Sequence, residues 1–359
     1  MAKKIKVAVA GVGNCASALI QGVYYYKDAK EDDEIPGLMH TNFGGYLPGD
    51  IEFVAAFDVD KRKIGKDLSE AIFAGKNCVK RFADVPRLGV KVLPGPILDG
   101  VAPHMREEFA SYDSEYEPVD VADVLRETNA DILINYTPVG SYEASRYYAK
   151  SALEAGVAFI NAIPEFIVSD PEWAKKFEDK KIPIAGDDIK SQVGATILHR
   201  TLVELLKARG VKIIETYQLN VGGNTDFLNM TDESRLKSKR ISKTEAVTSL
   251  IPYNVPTKIG PSDYVPFLGD TKIAYIWIKG EKFGGFPITI EAKLTVADSP
   301  NSAGTIIDAI RGVKIALDRG IGGPLISISA YYFKHPPIQV PDHIARQWVE
   351  EFIEGKRDR

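Results

Sequence analysis

The chain has 359 residues, 45% hydrophobic and 26% charged. That mix excludes disordered, collagen-like and coiled-coil chains, and the length suggests two domains at roughly 100–200 residues each. With 45 Lys+Arg against 49 Asp+Glu the net charge is −4, so neither nucleic acid nor a membrane surface is an expected partner, and any polyanion must meet a local basic site.

The start, MAKKIKVAVAGVG, is charged and then apolar like a secretory leader. Its apolar run breaks at Gly11 and Gly13 with no cleavage pattern, and no run of ~18 apolar residues predicts a membrane span. Cys15 and Cys78 cannot form a disulfide framework, which predicts a reducing, cytoplasmic setting. Residues 5–10 (IKVAVA) are continuously apolar, as a strand buried on both faces is. A glycine turn and a helical pattern through Leu19 and Val23 follow. Residues 27–50, acidic and then rich in Gly and Pro, read as a surface insertion. A second strand, 51–57 (IEFVAAF), ends on Asp58. Strands at 131–136, 157–162 and 182–185 then alternate with helices at 142–155, 171–180 and 192–208. Such alternation implies βαβ units and a doubly wound parallel sheet.

After Gly210 the texture changes. Residues 212–221 and 287–296 (PITIEAKLTV) alternate apolar and polar positions, as a half-solvated antiparallel sheet does. Between them lie a basic stretch, a loop at 252–269 and a further strand at 271–279. Residues 302–319 return to a helical pattern, 326–333 form an apolar run read as a buried strand, and the tail 341–355 reads as an amphipathic helix. The fold expected is α/β, a Rossmann-type doubly wound sheet interrupted by a second α+β domain with a mainly antiparallel sheet.

Gly11-x-Gly13-x-x-Ala16 sits between a predicted strand and a predicted helix, the context of a dinucleotide turn. Gly11 permits the tight turn, Gly13 lets the backbone approach a pyrophosphate, and Ala16 takes the tolerated third position. The helix N–H groups would face the diphosphate. Asp58, at the end of the second strand, is placed for the adenosine ribose and favours NAD over its 2′-phosphorylated form. It lies much further along than the usual ~20 residues, which the 27–50 insertion must explain. A packing turn without ligand is the competing reading. The loop 135–140 (NYTPVG) ends another parallel strand at the same edge.

Gly186-Asp187-Asp188-Ile189-Lys190-Ser191-Gln192 follows the last parallel strand. Ser191 as a helix cap, with the free amides through Gly194, would hold a phosphate. Asp187 and Asp188 could equally serve the helix dipole. Five basic residues lie in the nine of Arg235–Lys243. A solvated face, a nucleic-acid patch and a phosphate pocket all fit, and a helix would put Lys239 and Lys243 on one side. Lys272 follows Asp270, Lys334 closes the 326–333 run, and Asp226 and Asp298 are candidate partners or plain turn aspartates. Cys15 reads as a packing residue of the turn, and the five histidines show no metal spacing.

Seven ordered blocks carry a resemblance: 11–17 (GVGNCAS), 135–140, 186–192, 222–229 (GGNTDFLN), 238–243 (SKRISK), 298–304 (DSPNSAG) and the YYFK stretch ending at Lys334. Together they resemble the compact prokaryotic myo-inositol-1-phosphate synthases over nearly the whole chain. That resemblance implies a homotetramer that holds NAD and converts glucose 6-phosphate to an inositol phosphate. Oxidation at C5, enolisation, aldol closure and re-reduction would return the cofactor unchanged. It implies residues 1–200 and 305–359 as the NAD-binding domain and 201–304 as the catalytic and oligomerisation domain. Gly11, Gly13, Asn14, Cys15, Ala16, Asp58, Thr137, Pro138 and Asp187 would hold the cofactor, and Ser191, Gln192, Gly194 and Lys243 the phosphate. Lys239 would move the C5 proton with Asp188 as relay, while Lys272 and Lys334 stabilise oxygen anions. Asp226 and Asp298 would set lysine protonation, or bind a divalent cation if one replaces part of this charge. The alternatives are a dehydrogenase of a phosphorylated small molecule that releases NADH, and a non-catalytic NAD-sensing or nucleic-acid-binding protein.

Overall fold

The computed structural model of the protein describes residues 4–106 and 116–359; residues 1–3 of the charged start lie outside them. Seven parallel strands form the larger sheet: β1 (Ile5–Ala10), β2 (Ile51–Asp58), β3 (Val92–Pro94), β4 (Ile132–Asn135), β5 (Ala158–Asn161), β6 (Pro183–Ala185) and β11 (Gly323–Pro324). Their order is β11-β6-β5-β4-β1-β2-β3. The chain runs outward from β1 to one edge, then returns through β4 to the other. The point where the order reverses, between β1 and β4, is where open sheets bind ligands. The strands are short and apolar because both faces are covered, and β4 and β5 are buried throughout.

The second sheet has the order β10-β9-β7-β8, from β7 (Lys212–Gly222), β8 (Thr257–Tyr264), β9 (Thr271–Glu281) and β10 (Pro287–Ala297). β9 pairs antiparallel with β7 and β10, but β7 and β8 run parallel. One face packs on Val203 and Leu206 of helix Ala195–Ala208 and on Val247 of helix Lys237–Thr248. β8 corrects the loop expected at 252–269. Its Gly260 and Pro261 look like breakers, yet an edge strand tolerates proline because its outer N–H positions go unused.

Three further expectations change. The 27–50 segment is no mere surface insertion. Phe43, Tyr46 and Pro48 are buried, and fully buried Arg311 donates to the carbonyls of His40, Thr41 and Tyr46. The 326–333 run is helix Ile326–Tyr332, not a strand. Its Ile-Ser-Ile-Ser alternation mimics a strand because both serines, Ser327 and Ser329, are buried on the helix with Ile328. Finally, the helix expected at 302 starts at Asp298, running Asp298–Asp318 with Pro300 in its first turn, where its missing N–H costs nothing.

Candidate active site

At the switch point the β1–α1 turn (α1, Asn14–Tyr25) meets the ends of β2 and β4. Gly11 has φ +94°, and a Cβ there would lie 2.6 Å from the Tyr136 carbonyl oxygen, so only glycine fits. At Gly13 nothing stands within 4 Å of the Cβ position. The backbone is bare on that side and α1 has no side-chain cap, an arrangement that fits a dinucleotide pyrophosphate. Asp58 accepts from the amides of Val12 (2.7 Å), Val59 (2.7 Å) and Asp60 (2.8 Å), which locks the second strand to the glycine turn.

A single crevice is lined by Gly11, Gly13, Asn14, Cys15, Ala16, Asp58, Thr137 and Pro138 on one side. Asp188, Ser191, Asp226, Lys239, Lys243, Lys272, Asp298 and Lys334 line the other. These side chains arrive on separate elements. Lys239 and Lys243 sit one turn apart on Lys237–Thr248, both buried. Lys272 is the second residue of β9 and reaches Asp298, the first residue of its helix, at 3.1 Å. Lys334 follows Ile326–Tyr332, and its backbone N–H donates to the Asp188 carbonyl at 2.7 Å.

Asp188 is the hub. Its Oδ1 takes the ammonium groups of Lys239 and Lys334, each at 3.0 Å, and its Oδ2 accepts the Ser242 hydroxyl. Burial alone would raise its pKa, but Lys239, Lys334 and Ser242 hold the carboxyl well below the usual range. Lys239 resists burial through Asp188 and Asp226 and stays above the ordinary lysine value. Lys334 does not: burial, then Lys239 and Lys272, bring it down to about 8 despite Asp188. Lys243 falls well below the ordinary value through burial and the charges of Lys272, Lys239 and Lys334. One lysine is thus a fixed cation, and two hold their protons less tightly than an ordinary lysine. The Cys15 thiol, pushed up to about 12 by burial and by Asp298 and Asp226, is no nucleophile.

Three expected site residues do not line the crevice. Asp187 is fully buried under the loop after β5, where it accepts from Asn161 and from the amides of residues 167–169. The reason is local: Asp188 has φ +61°, and the two adjacent carboxylates point opposite ways. Gln192 turns to the Gly37 carbonyl instead. Gly194 caps Ala195–Ala208, which starts three residues later than expected, so Ser191 is no cap. The amides of Gln192 and Val193 are taken by the Asn301 backbone carbonyl (2.8 Å) and side chain (2.9 Å). Only Ser191 of the expected phosphate loop reaches the crevice, which Lys243 also lines.

Asn224, Asp270 and Ser242 were missed. Asn224 donates toward Asp270 (3.3 Å) and Asp298 (3.4 Å), and Ser299 donates to Asp270. A signal existed for Ser242, three residues after Lys239 on the same helix face. Asn14 also reaches across, donating to Thr225 at 3.3 Å and tying the glycine turn to the 222–229 block. Among the described residues no three His, Cys, Asp or Glu side chains converge as a metal-ligand set, and the Lys272 ammonium pairs with Oδ1 of Asp298.

Residues 194–299 match the family model described as myo-inositol-1-phosphate synthase. The chain is 57% identical to the inositol-3-phosphate synthase of Corynebacterium glutamicum over 97% of this chain and 98% of that protein. It is 56% identical to that of Mycobacterium tuberculosis, over 98% and 96%. A solved myo-inositol-1-phosphate synthase-related protein from Thermotoga maritima superposes with a TM-score of 0.79 at 27% identity, covering 98% of both chains. The glycine turn, the lysine cluster and these likenesses lead to one conclusion: the chain belongs to the myo-inositol-1-phosphate synthase family.

Proposed function

We propose that the protein acts as an inositol-3-phosphate synthase, isomerising D-glucose 6-phosphate to 1D-myo-inositol 3-phosphate with bound NAD. The observation that carries this reading is that four lysines from three separate stretches of chain line the same crevice as the glycine turn. NAD, when bound, supplies a reversible acceptor for the hydride of C5. The remaining chemistry falls to the side chains. Lys334, brought down to about 8, and Lys243, pushed well below the ordinary lysine value, are the amines best suited to take and return a proton. Lys239, held as an ammonium by Asp188, is suited to hydrogen-bond the C5 oxygen, while the hydroxyl proton released there on oxidation would pass to Lys334 or Lys243, whose affinity for it is lowered, and return on re-reduction. Lys272, anchored by Asp298, faces the oxygen anion that forms on enolisation and ring closure. The substrate phosphate belongs with Ser191 and Lys243, where its negative charge would favour the ammonium form that burial and the neighbouring lysines disfavour.

The same reading treats residues 1–200 with 305–359 as the cofactor domain and 201–304 as the catalytic and oligomerisation domain. It also includes a cytoplasmic homotetramer. No helix among the described residues is long and apolar enough to cross a membrane, and the outer mixed sheet carries a stacked Tyr217–Trp277 pair and exposed Phe283 and Phe286 that assembly would cover. Phosphorus NMR of the protein with glucose 6-phosphate and NAD tests the activity. An inositol phosphate resonance must grow without NADH accumulating; NADH released in step with turnover would instead identify a simple dehydrogenase. Sedimentation tests the assembly.

A further inference from the structure

Asp187 is absent from the crevice, yet it anchors a buried chain of side chains that ends there. Its carboxylate accepts Asn161 Nδ2 at 2.7 Å, the amides of Ile167, Val168 and Ser169 at 3.0–3.1 Å, and the Ser169 hydroxyl at 2.8 Å. Asn161 Nδ2 also meets the Glu165 carbonyl. Both neighbours are acceptors, so this end of the Asn161 amide must be the NH2 group. The Asn161 oxygen therefore faces Asn135 and accepts its Nδ2 at 3.0 Å. That in turn aims the Asn135 oxygen at Thr137, where it accepts the backbone N–H (3.2 Å) and the hydroxyl (2.8 Å). The neighbouring Ser145 hydroxyl spends its own proton on the Ser141 carbonyl. Asn135, Asn161 and Asp187 are fully buried, so water cannot scramble the order. Burial pushes Asp187 up to about 6 against its five donors, which leaves it ionised at neutral pH.

We propose that Asp187 is a positioning residue: through the amides of Asn161 and Asn135 it fixes the Thr137 hydroxyl as a hydrogen-bond acceptor for a donor group of the bound dinucleotide. Thr137 lines the crevice with its only proton committed inward, so toward the ligand it offers lone pairs alone. The matching group is a ribose hydroxyl or the carboxamide N–H. The inference rests on NAD being the ligand, and adds to that reading how the hydroxyl's polarity is set from a carboxylate that never touches the cofactor.

The test is calorimetric NAD binding to the purified full chain in a double-mutant cycle. Thr137→Val should weaken NAD binding about three- to tenfold, as loss of one hydrogen bond does, and Thr137→Ser should restore it. Asp187→Asn should weaken binding to a similar degree in the wild-type background and add nothing to Thr137→Val. Asn135→Ala, which severs the chain while leaving the five donors on Asp187 in place, should behave the same way and serves if Asp187→Asn folds poorly. With 3-acetylpyridine adenine dinucleotide, which lacks the amide N–H, disappearance of the Thr137→Val penalty assigns the donor to the carboxamide. Persistence assigns it to a ribose hydroxyl. Unchanged NAD affinity in Thr137→Val, or additive effects in the cycle, would overturn the proposal. A wild-type protein that binds no NAD would instead overturn the functional reading beneath it.

Discussion

Asp188→Asn is the sharpest perturbation of the site, because it keeps the shape and removes one charge. Two ammonium groups lie 3.0 Å from the Asp188 carboxylate, and all three groups are buried. At an effective dielectric of about 20 each pair attracts by about 5 kcal/mol, much of it offset by desolvation. Without the carboxylate each lysine must stay charged and unpaired or shed its proton. Shedding sets a ceiling: from the ordinary value of 10.5 down to pH 7 it costs about 5 kcal/mol per lysine. Lys334, already at about 8, adds little, so the loss should come mainly from Lys239 and amount to about 3–5 kcal/mol at pH 7. It should shrink by up to about 1.4 kcal/mol per pH unit on raising the pH, because proton removal becomes cheaper. Urea unfolding of both proteins between pH 7 and 9.5 measures this, with turnover falling at least about a hundredfold in parallel. A gap under about 1 kcal/mol at pH 7, or one that does not change with pH, would refute the reasoning.

Other outcomes follow from the same geometry. Gly11→Ala sets a Cβ 2.6 Å from the Tyr136 carbonyl oxygen at φ +94°, so stability should fall by about 1–3 kcal/mol and NAD titration should show lost binding. Lys243→Met removes a buried amine with no ion-pair partner among the described residues; unfolding should show stability unchanged or raised by about 1 kcal/mol, while KM for glucose 6-phosphate rises at least about tenfold. The wild type itself should gain stability from pH 7.5 to 9.5. The folded Lys334 pKa of about 8 lies below the unfolded 10.5, so the unfolded chain binds more protons in that window and stability rises with pH. The Lys334 share of that rise should approach about 2 kcal/mol, read as the difference between wild type and Lys334→Met in urea unfolding at each pH.

Much of the glycine-turn side of the crevice was legible in the amino-acid order, because its determinants are local. A strand too apolar to face water, two glycines and a helix form one continuous turn, and 5–17 can be read without knowing what lies beside it. The Lys239–Lys243 spacing was equally readable, since four residues on a helix fix a common face whatever the helix packs against. The mixed sheet announced itself through alternation in Pro287–Ala297, whose exposure alternates in the structure.

What the order of residues left open was decided by partners far away along the chain. Nothing near 27–50 reveals that Arg311 will hold three of its carbonyls, and nothing near Ser191 reveals that Asn301 will take the next two amides. Asp187 and Asp188 are chemically identical neighbours. One serves the fold and the other the site because the chain turns left-handed between strand and loop, and because donors from 161–169 wait on one side while lysines from 239 and 334 wait on the other. Periodicity reports whether a side chain meets water. Which group it meets instead is fixed only when distant segments close on it, and the choice of protonated lysine, resting on burial and neighbouring charge together, belongs to the folded molecule alone.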